Sequence, residues 1–124
     1  MQYMLMIFED ESVYQTEQAW NDIIAQHVAL AQALQAEGVR FYGDGLTPTR
    51  AATTVRRRSG EVTIHDGPFA ETREQLGGYY VVDVPDLDAA IRWAKRIPLS
   101  ADGSIEIRPV IAAPAEAQPE PVSA

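Results

Sequence analysis

The apolar and polar positions divide the chain into short strand-like runs and two helical ones. Tyr3-Met4-Leu5-Met6-Ile7-Phe8 is apolar throughout and ends at Glu9-Asp10-Glu11. A continuous apolar run predicts a strand buried on both faces, because a strand with one wet face alternates. From Thr16 to Glu37 the period changes. Trp20, Ile23, Ile24, His27, Leu30, Ala31 and Leu34 return at three- and four-residue steps, and Gly38 supplies the stop of a long helix. His27 falls on this stripe, which places it against the sheet and not in solvent.

Strand character resumes at Val39-Arg40-Phe41-Tyr42-Gly43, and Asp44-Gly45 and Thr47-Pro48 mark a loop. Ala52–Arg58 and Glu61–His65, joined by Ser59-Gly60, predict a β-hairpin. Val62, Ile64 and Asp66 share one parity, with Thr63 and His65 on the other. Gly77-Gly78 is expected to release the chain into a strand over Tyr79–Val84, and alternation sends Tyr79 and Tyr80 to opposite faces. One of the two then packs in the core and the other reaches a cleft or a dimer seam. Asp86 is a fitting N-cap for a second helix with the stripe Leu87, Ala90, Ile91 and Ala94, stopped by Pro98. Ser104–Val110 alternates as a strand, and Pro109 suits an edge. From Ala112 to Ala124 only Ala, Pro, Glu, Gln, Val and Ser remain, which predicts a disordered acidic tail behind a domain of residues 1–111.

The element order is an α+β, ferredoxin-like βαββαβ pattern with an additional central hairpin strand. Its two helices can cover only one face of an antiparallel sheet. The apolar first strand calls for a cover on the other face as well, most economically a second copy, so a homodimer is expected.

Composition narrows the function classes. A net charge of −8 and a pI near 4.6 argue against nucleic acid as a partner. No apolar run approaches the roughly 20 residues that span a bilayer, so no membrane association is expected. The N-terminus lacks a signal-peptide pattern and the chain has no cysteine, so a cytoplasmic protein is expected. The only histidines, His27 and His65, lack metal-site spacing, and Gly43-Asp44-Gly45 lacks the helix of a dinucleotide fingerprint. Neither metal nor cofactor is expected.

The uneven stretch from His65 to Tyr80, turning at Asp66-Gly67-Pro68-Phe69, has the texture of a site. His27 is the candidate general acid or base, because imidazole titrates near about 6.5; the alternative is a hydrogen-bonded core histidine. Asp66 could orient His27 as the third member of a triad does, or simply close the turn at Gly67-Pro68. Arg108, with Arg56, Arg57 and Arg58, offers guanidinium forks for an anionic ligand, or a solvated strand surface. Tyr79 and Tyr80 complete the candidate ligand contacts, while Trp20 and Trp93 are expected to pack the helices.

Four stretches resemble the DGPF branch of the YCII-related family. They are Tyr3–Ile7, Asp66–Tyr80, Asp83–Ala90 and Gly103–Val110, within a resemblance spanning roughly residues 1–111. The resemblance implies a dimeric α/β barrel, in which ferredoxin-like protomers pair through their sheets. It also implies a His–Asp pair in a cleft. The family's first-helix histidine matches His27. Its aspartate has no aligned counterpart, because this chain has Arg96-Ile97-Pro98 where others have an Asp-Pro motif, and Asp66 is substituted for it here. The family's activity is largely uncharacterised. The expectation is therefore a small-ligand protein, either a cofactor-free enzyme or a non-catalytic sensor or interaction module linked to transcription regulation.

Overall fold

A computed structural model describes residues 1–112. The main elements are β1 (Gln2–Glu9), α1 (Glu17–Ala36), β2 (Arg40–Gly45), β3 (Thr53–Arg58), β4 (Glu61–Asp66), β5 (Gln75–Asp83), α2 (Leu87–Ala94) and β6 (Gly103–Pro109). Two single turns of 3-10 helix, Glu11–Val13 and Thr49–Ala51, were not anticipated from pattern. The main sheet has the order β2-β5-β1-β6 with every neighbouring pair antiparallel. β5 thus lies between β1 and β2, the split arrangement of a ferredoxin-like α+β fold. Pro109 falls on β6, an edge strand that does without its missing N–H.

Local chemistry fixes the helix ends. The Thr16 hydroxyl accepts from the Ala19 N–H at 3.1 Å and caps α1. At its other end Gly38 takes a φ of +71°, the Val39 N–H donates to Leu34 and the Gly38 N–H to Gln35. That is a Schellman motif, and it turns the chain directly into β2. The Asp86 carboxylate accepts from the Ala89 N–H at 2.9 Å and starts α2.

Both helices pack on one face. Tyr3, Leu5 and Ile7 of β1 join Val82 of β5, Leu30 and Leu34 of α1 and Ala89, Ala90, Trp93 and Ala94 of α2 in one buried cluster. Within the single chain, β1 is fully buried on its helix-facing side alone. Met4, Met6 and Phe8 are only half-buried, because no helix of the described chain covers their side. Beside them Val81 is 1% exposed, sheltered by its own sheet neighbours, so this open face is apolar in its middle.

The hairpin also departs from expectation. Instead of adding a strand to the main sheet, β3 and β4 pair only with each other. Ser59 and Gly60, at φ of 50° and 79°, form the left-handed pair of a hairpin turn whose twist matches its strands. The Val62–Ile64–Asp66 face gains no burial, and Ile64, opposite Val55, is 73% exposed. Gly77 and Gly78 lie inside β5 and not before it, at a register shift opposite Ile7 and Phe8. The acidic tail lies, from residue 113, outside the described residues.

Candidate functional site

The sheet under the N-terminal half of α1 has few side chains. On β2 the inward positions after Phe41 are Gly43 and Gly45; on β5, Gly78 precedes Tyr80. Gly43 is required by close approach, since a Cβ there would collide with the Tyr79 carbonyl oxygen and lie 2.9 Å from the Tyr80 Cα. Helix and strands are thereby held apart over a bare floor, leaving a cleft of about 1230 Å³. Trp20, Ile24, His27 and Val28 of α1 form one wall, and the segments around Glu11 and Pro48 form the mouth.

His27 projects from α1 toward β5, where its Nδ1 lies 2.6 Å from the Tyr80 hydroxyl. The two rings stack with centroids 5.8 Å apart and 22° between planes. Burial holds the His27 imidazole below its ordinary value, and burial raises the Tyr80 phenol above its own. Both groups are therefore neutral near pH 7, and the pair can share its hydrogen bond in two ways. The phenol can donate to Nδ1, or Nδ1–H can donate to the phenol oxygen, leaving Nε2 with a lone pair and the phenolic proton for another acceptor.

A second polar pair lies toward the mouth. The Tyr14 hydroxyl donates to Glu9 Oε2 at 2.7 Å, and the Tyr14 ring stacks on Trp20 at 5.2 Å and 11°. Burial, and then Glu9 itself, push the Tyr14 phenol up. The mouth is tied down by Glu11, whose carboxylate accepts from both the N–H and the hydroxyl of Thr49. Its own N–H donates to Gln75 Oε1 at 3.0 Å.

The sequence candidates are thus divided. His27 and Tyr80 are brought together in the cleft. Tyr79 borders it but turns its side chain to the opposite face, where its hydroxyl lies 3.4 Å from Asp44 Oδ2. Arg108 is exposed on the open face of β6, paired with Met4, and is not among the residues that line the cleft. Asp66 does not meet His27. It ends the free ribbon, is exposed, and borders a second hollow, between that ribbon and Pro48-Thr49-Arg50, which adjoins the cleft mouth at Glu11 and Pro48. Nor does its carboxylate close the turn: Gly67, at φ 118°, donates its N–H to Ala52 and accepts from the Thr54 hydroxyl, both at 2.8 Å. The mismatch follows from the ribbon leaving the sheet.

Sequence reasoning missed three site residues. Glu9 passed for a strand breaker, although it continues the inward parity of Tyr3, Leu5 and Ile7. Tyr14 carried no signal of its own. Trp20 passed for packing, yet it is 39% exposed on the cleft wall. Trp93, by contrast, packs as expected, 8% exposed and beneath the Arg96 guanidinium. Among the described residues, no three His, Cys, Asp or Glu side chains gather as a metal-binding group. No helix of the described chain is long and apolar enough to cross a membrane.

A family model for the YCII-related domain matches residues 1–114. An uncharacterised protein of Rhizobium meliloti (strain 1021) is 36% identical over 117 residues, covering 89% of this chain and 92% of that protein. On sequence match and fold together, the chain belongs to the YCII-related family.

Proposed function

We propose that this chain acts in the cytoplasm as a homodimer that binds a small organic ligand in the cleft, with His27 as its proton-transfer group. The hydrogen bond between His27 and Tyr80 on the wall of a glycine-floored cleft carries the reading. A neutral imidazole held by burial is a competent base near pH 7. With Nδ1–H donating to the Tyr80 oxygen, Nε2 accepts a proton from the ligand while the Tyr80 hydroxyl donates one to it. Proton removal and delivery at two ligand atoms is the chemistry of a cofactor-free isomerase or lyase. The dimer would form through the open face around Met4, Met6 and Val81, giving the barrel that family resemblance suggests. Asp66 and Arg108 lie on surfaces available to such a second copy, and their part in ligand binding depends on it.

His27→Ala tests the reading. It should leave the circular dichroism spectrum and the sedimentation behaviour unchanged while abolishing turnover of a substrate found by screening. Undiminished turnover would refute the assignment.

A second reading, an interaction module or ligand sensor allied to transcription regulation, is favoured by the ribbon. Val55, Val62, Ile64 and Phe69 are all at least half exposed there, more apolar surface than a free hairpin needs. Here the ribbon, not His27, is the functional element, and a double Val55→Thr, Ile64→Thr variant should lose the partner while His27→Ala keeps it.

A further inference from the structure

We infer that the ligand of this cleft is a cationic amine, with the Glu9 carboxylate as its counter-charge and the stacked Tyr14–Trp20 pair as an aromatic wall beside it. The inference rests on the reading of the cleft as a small-molecule site, and it adds the charge of the occupant.

Glu9 is the starting point. β1 alternates, and its inward positions run Tyr3, Leu5, Ile7, Glu9, so a carboxylate occupies the fourth place on a core-facing stripe. It is 7% exposed, the only charged side chain among the buried residues described. A carboxylate offers two oxygens and about four acceptor sites, and burying it is costly unless it is paired. The described protein supplies one partner, the neutral Tyr14 hydroxyl on Oε2. The ion pairs of the described residues, Met1–Asp83 and Arg96–Glu37, lie elsewhere. Among the described residues no sealed side-chain oxygen or nitrogen lacks a hydrogen bond, so the second Glu9 oxygen is not sealed in the core, and Glu9 is one of the residues that line the cleft.

Two independent features agree with a cation. Tyr14 both holds Glu9 and stacks on Trp20, which places an aromatic face next to the carboxylate. Ammonium groups are attracted to such faces within about 6 Å of the ring centre, Trp most strongly. The ionisable lining is also one-sided apart from His27 and the tyrosines: Glu9, Asp10, Glu11 and Glu17 against Arg50, the Asp44 carboxylate being turned to the opposite face of the sheet. An anionic ligand would meet that field unfavourably, and a cationic one would be drawn in.

The experiment uses the full chain and three probes that share a phenethyl group and differ in charge: phenethylammonium chloride, 2-phenylethanol and sodium 3-phenylpropionate. Binding is followed by Trp20 indole and backbone amide shifts in two-dimensional NMR. The ammonium should bind at least about tenfold more tightly than either other probe. Glu9→Gln, which keeps an acceptor for Tyr14, should remove that preference. Trp20→Leu, at a partly exposed helix position, should weaken the ammonium even if Glu9→Gln fails to fold. Equal binding of the three, tighter binding of the phenylpropionate, no shift with the ammonium, or an unchanged preference in Glu9→Gln would overturn the inference. The cleft itself is judged separately: loss of turnover in His27→Ala would uphold the site even where the preference for cations fails.

Discussion

The two ends of the α1–sheet layer use similar side chains to opposite effect. At the C-terminal end, Leu30 and Leu34 enter the same cluster as Leu5 and Val82, with Phe41 packed against it, and nothing is left open. At the N-terminal end, Trp20, Ile24 and Val28 remain 39%, 53% and 52% exposed over Gly43, Gly45 and Gly78. The helix carries an apolar stripe along its whole length, so it does not distinguish the two regions. The sheet does. Where its inward positions bear side chains the layer is core, and where they are glycine it is a cleft with His27 at the boundary.

The comparison breaks most visibly under truncation. Leu34→Ala should cost about 2–5 kcal/mol in urea unfolding, as a fully buried leucine does, whereas Ile24→Ala should cost less than about 1 kcal/mol. Similar costs at both ends would mean that the cleft is closed in solution. Filling the floor gives the next effect. Gly43→Ala should destabilise by about 1–3 kcal/mol, because its methyl meets strand backbone that cannot yield. Gly45→Ala has nothing within 4 Å, and its unfolding midpoint should scarcely move.

A smaller effect sharpens the boundary. His27 is depressed below 6.5 by burial, so the unfolded chain takes up the proton first as pH falls. Its contribution is complete above 6.5 and is lost as pH falls from there to the lower folded value. Tyr80, raised above 10.0, has the opposite sign, with stability complete below 10.0 and lost as pH rises through its folded value. Unfolding midpoints of the wild type minus those of His27→Ala, measured across pH, should therefore fall on the acid side of 6.5. A difference that grows there would mean a protonated, charge-paired His27. The smallest change is expected from Tyr80→Phe, which keeps the ring stack and removes only the hydroxyl. Global stability should shift by no more than about 1 kcal/mol, while turnover should fall with the lost proton donor.

Much of this layout was legible because it is local. The cap at Asp86, the Gly38 stop, the Ser59-Gly60 turn and the edge position of Pro109 are each dictated by nearby residues. The position of His27 on the stripe was legible too. Parity also held unused information: Tyr80 shares its inward side with Val82, and Glu9 shares that of Ile7. What could not be read was non-local. Trp20 on an apolar stripe looks the same over a core as over a cleft, since the difference is made by glycines more than twenty residues away in sequence. Asp66 was misplaced beside His27 for a similar reason. Alternation says which side of a strand a residue takes, but not whether the strand joins the sheet or leaves it.

The chain's two histidines allow the most direct test of the central claim, because His27 borders the cleft and His65 sits on the ribbon. Imidazole nitrogen and proton signals of the labelled full chain can be followed while a small-molecule library is titrated in. The account predicts that binding compounds move the His27 ring and the Tyr80 resonances and leave His65 in place. Hits that move His65 and spare His27 would contradict it and transfer the function to the ribbon.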